Sequence, residues 1–384
     1  MSSPKKILFY VQHLLGIGHL KRATTLARAF ADKGIEVTLV SGGEFVSVVD
    51  ADGMQFVQLP AVKAADRTFS GLVSSDGADI DDDLKESRKE KLINVFNELE
   101  PDMVIVELYP FGRRQLRFEL IPLLELARAA DWKPVIVSSV RDILVEKNRP
   151  ERDAEMVEKA KLYFDRILVH GDPDLIPFDK TFPRAAEISD MISYTGYVVD
   201  HDHISNITAA DGSGEVIVSS GSGAVGEQLL RTALIAKDET VLAGLPWRLL
   251  AGHSMPEEIF QAIRDNAGEG VIVERARPDF VTLLKNCRLS ISQGGYNTVM
   301  EVMATGATGI AVPYAGGNET EQTLRARLLE EKGLIRQIPE DQLIPAKLVE
   351  MVNERAEETG RSAGEIDVSG AETSARLVGG WLGA

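Results

Sequence analysis

A chain of 384 residues that is 44% hydrophobic can bury a core in each of two domains, which excludes a largely disordered protein. Its 59 Asp and Glu outnumber 42 Lys and Arg, and the net charge of −17 makes a surface that repels nucleic acid and anionic lipid outside any local basic patch. One cysteine, Cys287, excludes an internal disulfide and sits in an apolar-periodic stretch that reads as core. No run approaches the roughly 18 apolar residues of a spanning helix, and residues 7–11 are too short for the apolar core of a signal peptide. We expect a soluble, cytoplasmic protein.

Strand-like and helix-like patterns alternate along the chain, which calls for parallel sheets with helices on both faces. Residues 6–11 read as a short buried strand and residues 13–18 as a glycine-containing loop. Residues 20–33 carry helical spacing at Leu20, Ala23, Leu26, Ala27 and Phe30, and Gly34 stops the helix. Strands follow at 36–40, 55–59, 102–106, 135–140 and 166–170, with a helix expected at 45–52. These make one doubly wound domain over residues 1–204. Residues 201–214 are polar, rich in Asp, Gly and Ser, and lack periodicity, so a linker is expected there, at 205–214. A second domain of the same type spans 215–365, with strands at 215–219, 247–252, 271–274, 289–292 and 309–313. Its helices are expected at 227–236, 256–266, 278–286, 298–305 and 321–332. Residues 366–384 hold a closing helix. Parallel sheets bind ligands beyond the carboxyl ends of their strands, so two such domains facing each other would gather loops 13–19, 219–226 and 292–297 around one interdomain cleft.

The last of those loops carries most chemistry. Gly294 and Gly295 lie at a strand-to-helix turn, where backbone can approach a ligand and a helix N-terminus offers N–H groups to a phosphate. Asn297 and Thr298 open the helix, and Glu301 lies about one turn in, where a carboxylate can take two ribose hydroxyls. Glu321 and Gln322 add polar groups after the next strand. The set reads as phosphates, ribose, then sugar. Ser219, Gly221, Ser222 and Gly223 form a second glycine loop, suited to a diphosphate or simply to a tight turn.

The first loop holds Gly16, Gly18 and His19. It lacks the third glycine of a dinucleotide fingerprint, and Ser41-Gly42-Gly43 stands where an acidic residue would end the second strand, which argues against a nicotinamide cofactor. A histidine at a helix N-terminus resists protonation and suits a general base; the plainer reading is a capping histidine. Glu107 ends a strand and can orient His19, or serve as a cap. Arg113, Arg114 and Arg117 read most simply as a solvated helix face, with Arg113 and Arg141 the candidates to face an acceptor. The acidic run at 79–83 reads as a solvated loop and helix start, and no Cys or His group has zinc spacing, so no required metal or other cofactor is expected.

These residues resemble the inverting glycosyltransferases built from two facing Rossmann-like domains, the GT-B fold, and among them glycosyltransferase family 28, the MurG-like transferases. The chain is also similar to an uncharacterised group of predicted bacterial glycosyltransferases. The resemblance is strongest over 214–332. It implies that Gly16, Gly18 and His19 help form the acceptor and catalytic region, that residues 219–224 contact donor phosphates, and that Glu301 holds ribose. Glu321 and Gln322 match residues that contact donor-sugar hydroxyls, and residues 195–198 match a strand end that precedes the family's linker. Gln293 replaces a basic residue common beside the phosphates, Arg325 stands where Asn is usual, and the first loop has fewer glycines than its MurG-like counterpart. The implied activity is metal-independent transfer of a hexosyl-type sugar from a nucleoside diphosphate, most often UDP, to a hydroxyl with inversion. Domain closure about the linker would exclude water. The acceptor would be a small molecule or a lipid-linked one, the latter with peripheral membrane contact and an apolar path along Leu14, Leu15 and Phe111. A nucleotide-sugar epimerase or hydrolase of the same fold is the enzyme alternative, and a non-catalytic nucleotide-sugar-binding protein the other.

Overall fold

The computed structural model describes residues 3–14, 16–46, 53–66, 71–144, 150–221, 226–316, 320–358 and 366–383. The chain divides into two compact units, Met1–Val198 with Ser369–Ala384, and Val199–Val368.

The first unit runs β1 (Lys6–Val11), α1 (Gly18–Ala31), β2 (Glu36–Ser41), β3 (Gln55–Gln58), β4 (Val62–Ala64), β5 (Leu72–Ser74), α2 (Asp82–Leu99), β6 (Met103–Glu107), α3 (Arg117–Ala129), β7 (Val135–Arg141), α4 (Pro150–Tyr163), β8 (Arg166–His170) and β9 (Ile192–Tyr194). The second runs α5 (His201–Ser205), β10 (Val216–Ser219), α6 (Glu227–Ala236), β11 (Trp247–Ala251), α7 (Glu257–Asp265), β12 (Val271–Arg275), α8 (Phe280–Asn286), β13 (Leu289–Gln293), α9 (Tyr296–Thr305), β14 (Gly309–Val312), α10 (Glu321–Glu331), β15 (Arg336–Gln337) and α11 (Pro345–Glu357). Helix α12 (Gly370–Leu382) then belongs to the first unit.

Each unit is built on one parallel sheet. Seven strands in the order β3-β2-β1-β6-β7-β8-β9 form the first, and six in the order β12-β11-β10-β13-β14-β15 form the second. Near-continuous apolar runs such as Ile7–Val11 are buried because helices cover both faces. In both sheets the strand order reverses beside the first strand, between β1 and β6 and between β10 and β13. At such a switch point adjacent loops leave in opposite directions and open a crevice beyond the carboxyl ends. Two Rossmann-like units result.

Helix α1 turns Leu20, Ala23, Leu26, Ala27 and Phe30 inward, and Ala371, Ala375 and Val378 of α12 join the same cluster. Gly370 starts α12 hard against the end of the sheet: its N–H bonds Tyr197 O at 2.9 Å, and an added Cβ would lie 2.5 Å from Gly196 O. Only glycine permits that approach.

Several elements depart from the sequence reading. Helix α2 starts where the acidic run reads as a helix start, but its extent to Leu99 was hidden because it buries only Arg88, Leu92 and Phe96. The acidic run before it is its cap, with Asp81 Oδ1 accepting from Leu84 N at 2.8 Å. Helices α3, α4 and α11 and the hairpin β4–β5 were likewise not anticipated. The linker expected at 205–214 is docked instead. Lys285 Nζ donates to Ile207 O at 3.1 Å and Asn286 Nδ2 to Ala209 O at 2.8 Å, and the units divide at Val198/Val199. Of the helix expected at 45–52, Phe45 and Val46 are not helical and the remaining residues lie outside those described. Among the described residues no helix is long and apolar enough to cross a membrane.

Candidate functional site

In the first unit, register puts the ends of β1, β6, β7 and β8 on one edge: Tyr10 pairs with Val106, Glu107 with Ser139, and Arg141 with His170. Helix α1 begins at this edge and carries His19 and Arg22 in its first turns. His19 Nδ1 lies 2.7 Å from Glu107 Oε1, and Arg22 Nη2 donates to the same oxygen at 2.5 Å. Glu107 and Arg22 are buried, while 18% of the His19 side chain is exposed.

That geometry sets the tautomer. An ionised carboxylate only accepts, so Nδ1 carries the proton and donates to Glu107, and Nε2 keeps its lone pair. Burial pushes the His19 pKa down to about 4, with Arg113 and Arg22 adding to it and Glu107 opposing. Burial raises the Glu107 carboxyl, but the His19 ring, Arg22 and Arg113 outweigh it and hold it well below the usual carboxylate range. The pair at neutral pH is a neutral imidazole on an anionic partner, ready to take a proton at Nε2.

A buried network holds the loop that leads into α1. Arg88 donates from Nε to Glu119 Oε2 at 2.8 Å and from Nη2 to Gln12 Oε1 at 3.0 Å, and Tyr10 Oη donates to Glu119 Oε1 at 2.5 Å. Gln12 Nε2 then donates to His13 O at 2.7 Å and Val62 O at 3.0 Å. Next to it the His13 ring fills the space above Gly43, where an added Cβ would lie 2.4 Å from Nδ1. Burial, then Arg113, lowers the His13 pKa. His170 bonds Ser139 Oγ and Thr195 Oγ1, each at 2.9 Å, and burial takes its pKa down to about 3. Gln12, His13, Arg22, Arg88 and His170 were not singled out in the sequence. Arg22, one helical turn after His19, was the legible one.

The three arginines after β6 separate. Arg114 and Arg117 pair with Glu155, which fits a helix face. Arg113 does not join them: it sits at φ 58 and acts electrostatically on His13, His19 and Glu107. Gly16 and Gly18 frame the loop, and a Cβ at Gly16 would meet nothing within 4 Å. Leu15 lies outside the described residues. Leu14 and Phe111 line no open path: both are in the core, with Phe111 edge-on to Phe178 and Phe182 at 5.4 and 5.3 Å.

In the second unit the switch point brings Ser219 opposite Ser292. Gly294 packs so closely that an added Cβ would lie 3.1 Å from Pro313 Cα, whereas one at Gly295 would meet nothing within 4 Å. Gly295 is the N-cap of α9 and has no side chain to close it. Asn297 and Thr298 are half-buried in the first turn and Glu301 is buried. Ser219 Oγ accepts from Gly221 N at 3.2 Å, which shapes the turn; Ser222 and Gly223 lie outside the described residues. Gly226 closes the loop at φ 96, where a side chain would strike Ser220 and Gln293.

Helix α10 is tied to this turn. Gln322 Oε1 accepts from Tyr314 N at 3.1 Å, and Glu321 accepts from Arg325 at 2.7 Å. The Arg325 guanidinium lies 4.9 Å from the centre of the Tyr296 ring, a cation–π contact that joins the first turns of α9 and α10. Arginine in place of the usual asparagine therefore has a structural partner.

Residues 248–375 match the glycosyltransferase family 28 C-terminal domain. The match covers the sheet from β11 onward, including α9 and α10. An uncharacterized glycosyltransferase of Methanopyrus kandleri is 26% identical over 170 residues, so the match spans 44% of this chain and a little under half of that relative, 45%. Solved structures share the fold over the whole length. The calicheamicin glycosyltransferase CalG4 superposes with a TM-score of 0.61 at 18% identity, covering 99% of this chain and 98% of that one. SnogD, a glycosyltransferase from Streptomyces nogalater, gives 0.62 at 17% identity over 98% and 99%. MurG of Acinetobacter baumannii gives 0.60 at 13% identity over 98% and 99%.

Proposed function

We propose that this protein is an inverting glycosyltransferase that moves a sugar from a nucleoside diphosphate, UDP, to a hydroxyl acceptor. The observation that carries the reading is the His19–Glu107 pair, whose 2.7 Å hydrogen bond leaves Nε2 as a base at the edge of a parallel sheet. The family 28 match over the second unit, and the open glycine turn at α9 within it, support the donor half.

In this reading the acceptor O–H gives its proton to His19 Nε2 as its oxygen bonds the anomeric carbon. The bond from that carbon to the diphosphate oxygen breaks, and UDP leaves with the electron pair. Attack opposite the leaving group inverts the carbon. Glu107 stabilises the imidazolium as it forms and holds the ring still, a positioning role. The α9 turn supplies N–H groups and the positive end of a helix dipole to the diphosphate, where such groups contribute about 3–4 kcal/mol each. Asn297 and Thr298 add polar atoms there, Glu301 takes the ribose hydroxyls, and Glu321 and Gln322 face the sugar. Ser219 and Gly221 shape the second wall of the diphosphate seat, and Gly16 and Gly18 let the acceptor approach His19.

Incubation with UDP-sugars and candidate alcohols tests this. Inverted glycoside and UDP are expected in equal amounts, in the presence of a chelator, and His19→Ala should slow their formation by about 100-fold or more. Free sugar or an epimer formed without acceptor would instead make the protein a hydrolase or epimerase.

A further inference from the structure

One charged group at the first unit's edge has no part in the chemistry above. Arg113 lies six residues beyond Glu107, at φ 58, and closes a turn that Leu108 opens at φ 68. Neither is glycine, and left-handed backbone at non-glycine residues gathers where a site over-determines it. The Arg113 side chain is half-buried, so its end remains reachable, yet its Nε is shut off from solvent with no hydrogen-bond partner. Among the described residues Arg113 forms no ion pair, whereas Arg22 and Arg114 beside it do. Burial lowers its pKa; Glu107 pulls the other way, and Arg141 and Arg22 repel it.

Glu107 does not hydrogen-bond that charge: its Oε1 takes His19 and Arg22, and its Oε2 is buried with no hydrogen-bond partner. His13 Nδ1, close enough to feel Arg113, is also buried without a partner. A guanidinium partly withdrawn from water is stabilised when a planar oxyanion meets its fork. We propose that Arg113, with Arg141 reinforcing the field, forms an oxyanion subsite beside His19, so that the acceptor is an alcohol carrying a carboxylate or phosphate. The inference rests on the reading of His19 as the base that meets the acceptor.

The test follows the imidazole Cε1–H signals of the full-length protein, labelled with ¹³C-histidine, during separate titrations with inorganic phosphate and acetate. Six histidines make assignment by substitution practical. The His13 and His19 signals should shift saturably with one of the two anions, and the tighter one names the acceptor's acid group. Arg113→Gln should weaken that response roughly tenfold or more, as loss of a charge-assisted contact does. Arg113→Lys should keep part of it, and an unmoved His170 signal certifies the fold of either variant. No saturable response to either anion, or the same response in Arg113→Gln, would overturn the subsite. Calorimetry with UDP on the same samples separates the two readings. A protein that binds UDP without the anion response loses the subsite and keeps the donor half; one with the response that binds no UDP keeps an anion site and loses the donor half.

Discussion

The two units solve the same problem with different materials. Both sheets reverse strand order beside their first strand, and both put their candidate residues beyond the carboxyl ends. The first unit works with buried side chains: His19, Arg22 and Glu107 share one carboxylate oxygen, and Arg88 and Gln12 fix the loop before them. The second works mainly with backbone: a close glycine at Gly294, an open one at Gly295, and the N-terminus of α9. Proton transfer needs a group with a tuned pKa, which only side chains provide. Holding a diphosphate needs several donors at fixed distances, which a helix N-terminus supplies without burying a charge.

The largest expected effect breaks the first unit's half alone. His19→Ala should lower kcat by about 10²–10⁴-fold, the usual worth of a general base. Glu107→Gln should cost less, about 10–100-fold, for loss of a charge-assisted hydrogen bond of ~1.5–3 kcal/mol. Steady-state rates with a saturating UDP-sugar check both, and a Glu107→Gln enzyme as active as the parent would remove the positioning role.

Gly370→Val probes the support beneath α1. A side chain 2.5 Å from a backbone oxygen forces α12 away, with a loss of about 1–3 kcal/mol. Thermal unfolding should show the loss, and activity should fall further than UDP binding. An equal loss in both would blur the division between units.

The smallest effects are in pH. His19 and His170 have folded values of about 4 and 3, below the ~6.5 of an exposed histidine. As pH falls the unfolded chain takes up their protons first, so this stability is complete above about 6.5 and drains away toward the folded values. Urea midpoints should therefore drop between neutral pH and pH 5. By the same sign His19 stays unprotonated through pH 6.5, and kcat/KM should decline only as pH nears about 4. A decline centred near 6.5 would place His19 in water.

What the sequence disclosed follows the same division. The proposed donor turn is contiguous from Gln293 to Glu301, so local pattern exposes it, and strands such as Lys6–Val11 announce themselves by apolar runs. The first unit's edge gathers residues from 12 to 170, and nothing local ties His170 to Glu107 or Arg88 to Gln12. Spacing after a glycine loop disclosed His19, and a strand end disclosed Glu107, but their 2.7 Å contact needed the fold. The length of helix α2, beyond the start that its acidic run marked, stayed hidden because it turns charged residues to solvent, and the docked segment after Val199 looked like linker because its bonds go to distant Lys285 and Asn286. Arg113 left its two neighbours because a positive φ, invisible in a run of arginines, turns it from the helix face.

The division itself is tested most directly by calorimetry of UDP with the parent, Glu301→Ala and His19→Ala proteins side by side. UDP affinity should fall about 10–100-fold in Glu301→Ala, the worth of a charged hydrogen-bond pair to ribose, and stay unchanged in His19→Ala. Unchanged affinity in Glu301→Ala, or a loss confined to His19→Ala, would contradict the assignment of the nucleotide to the second unit.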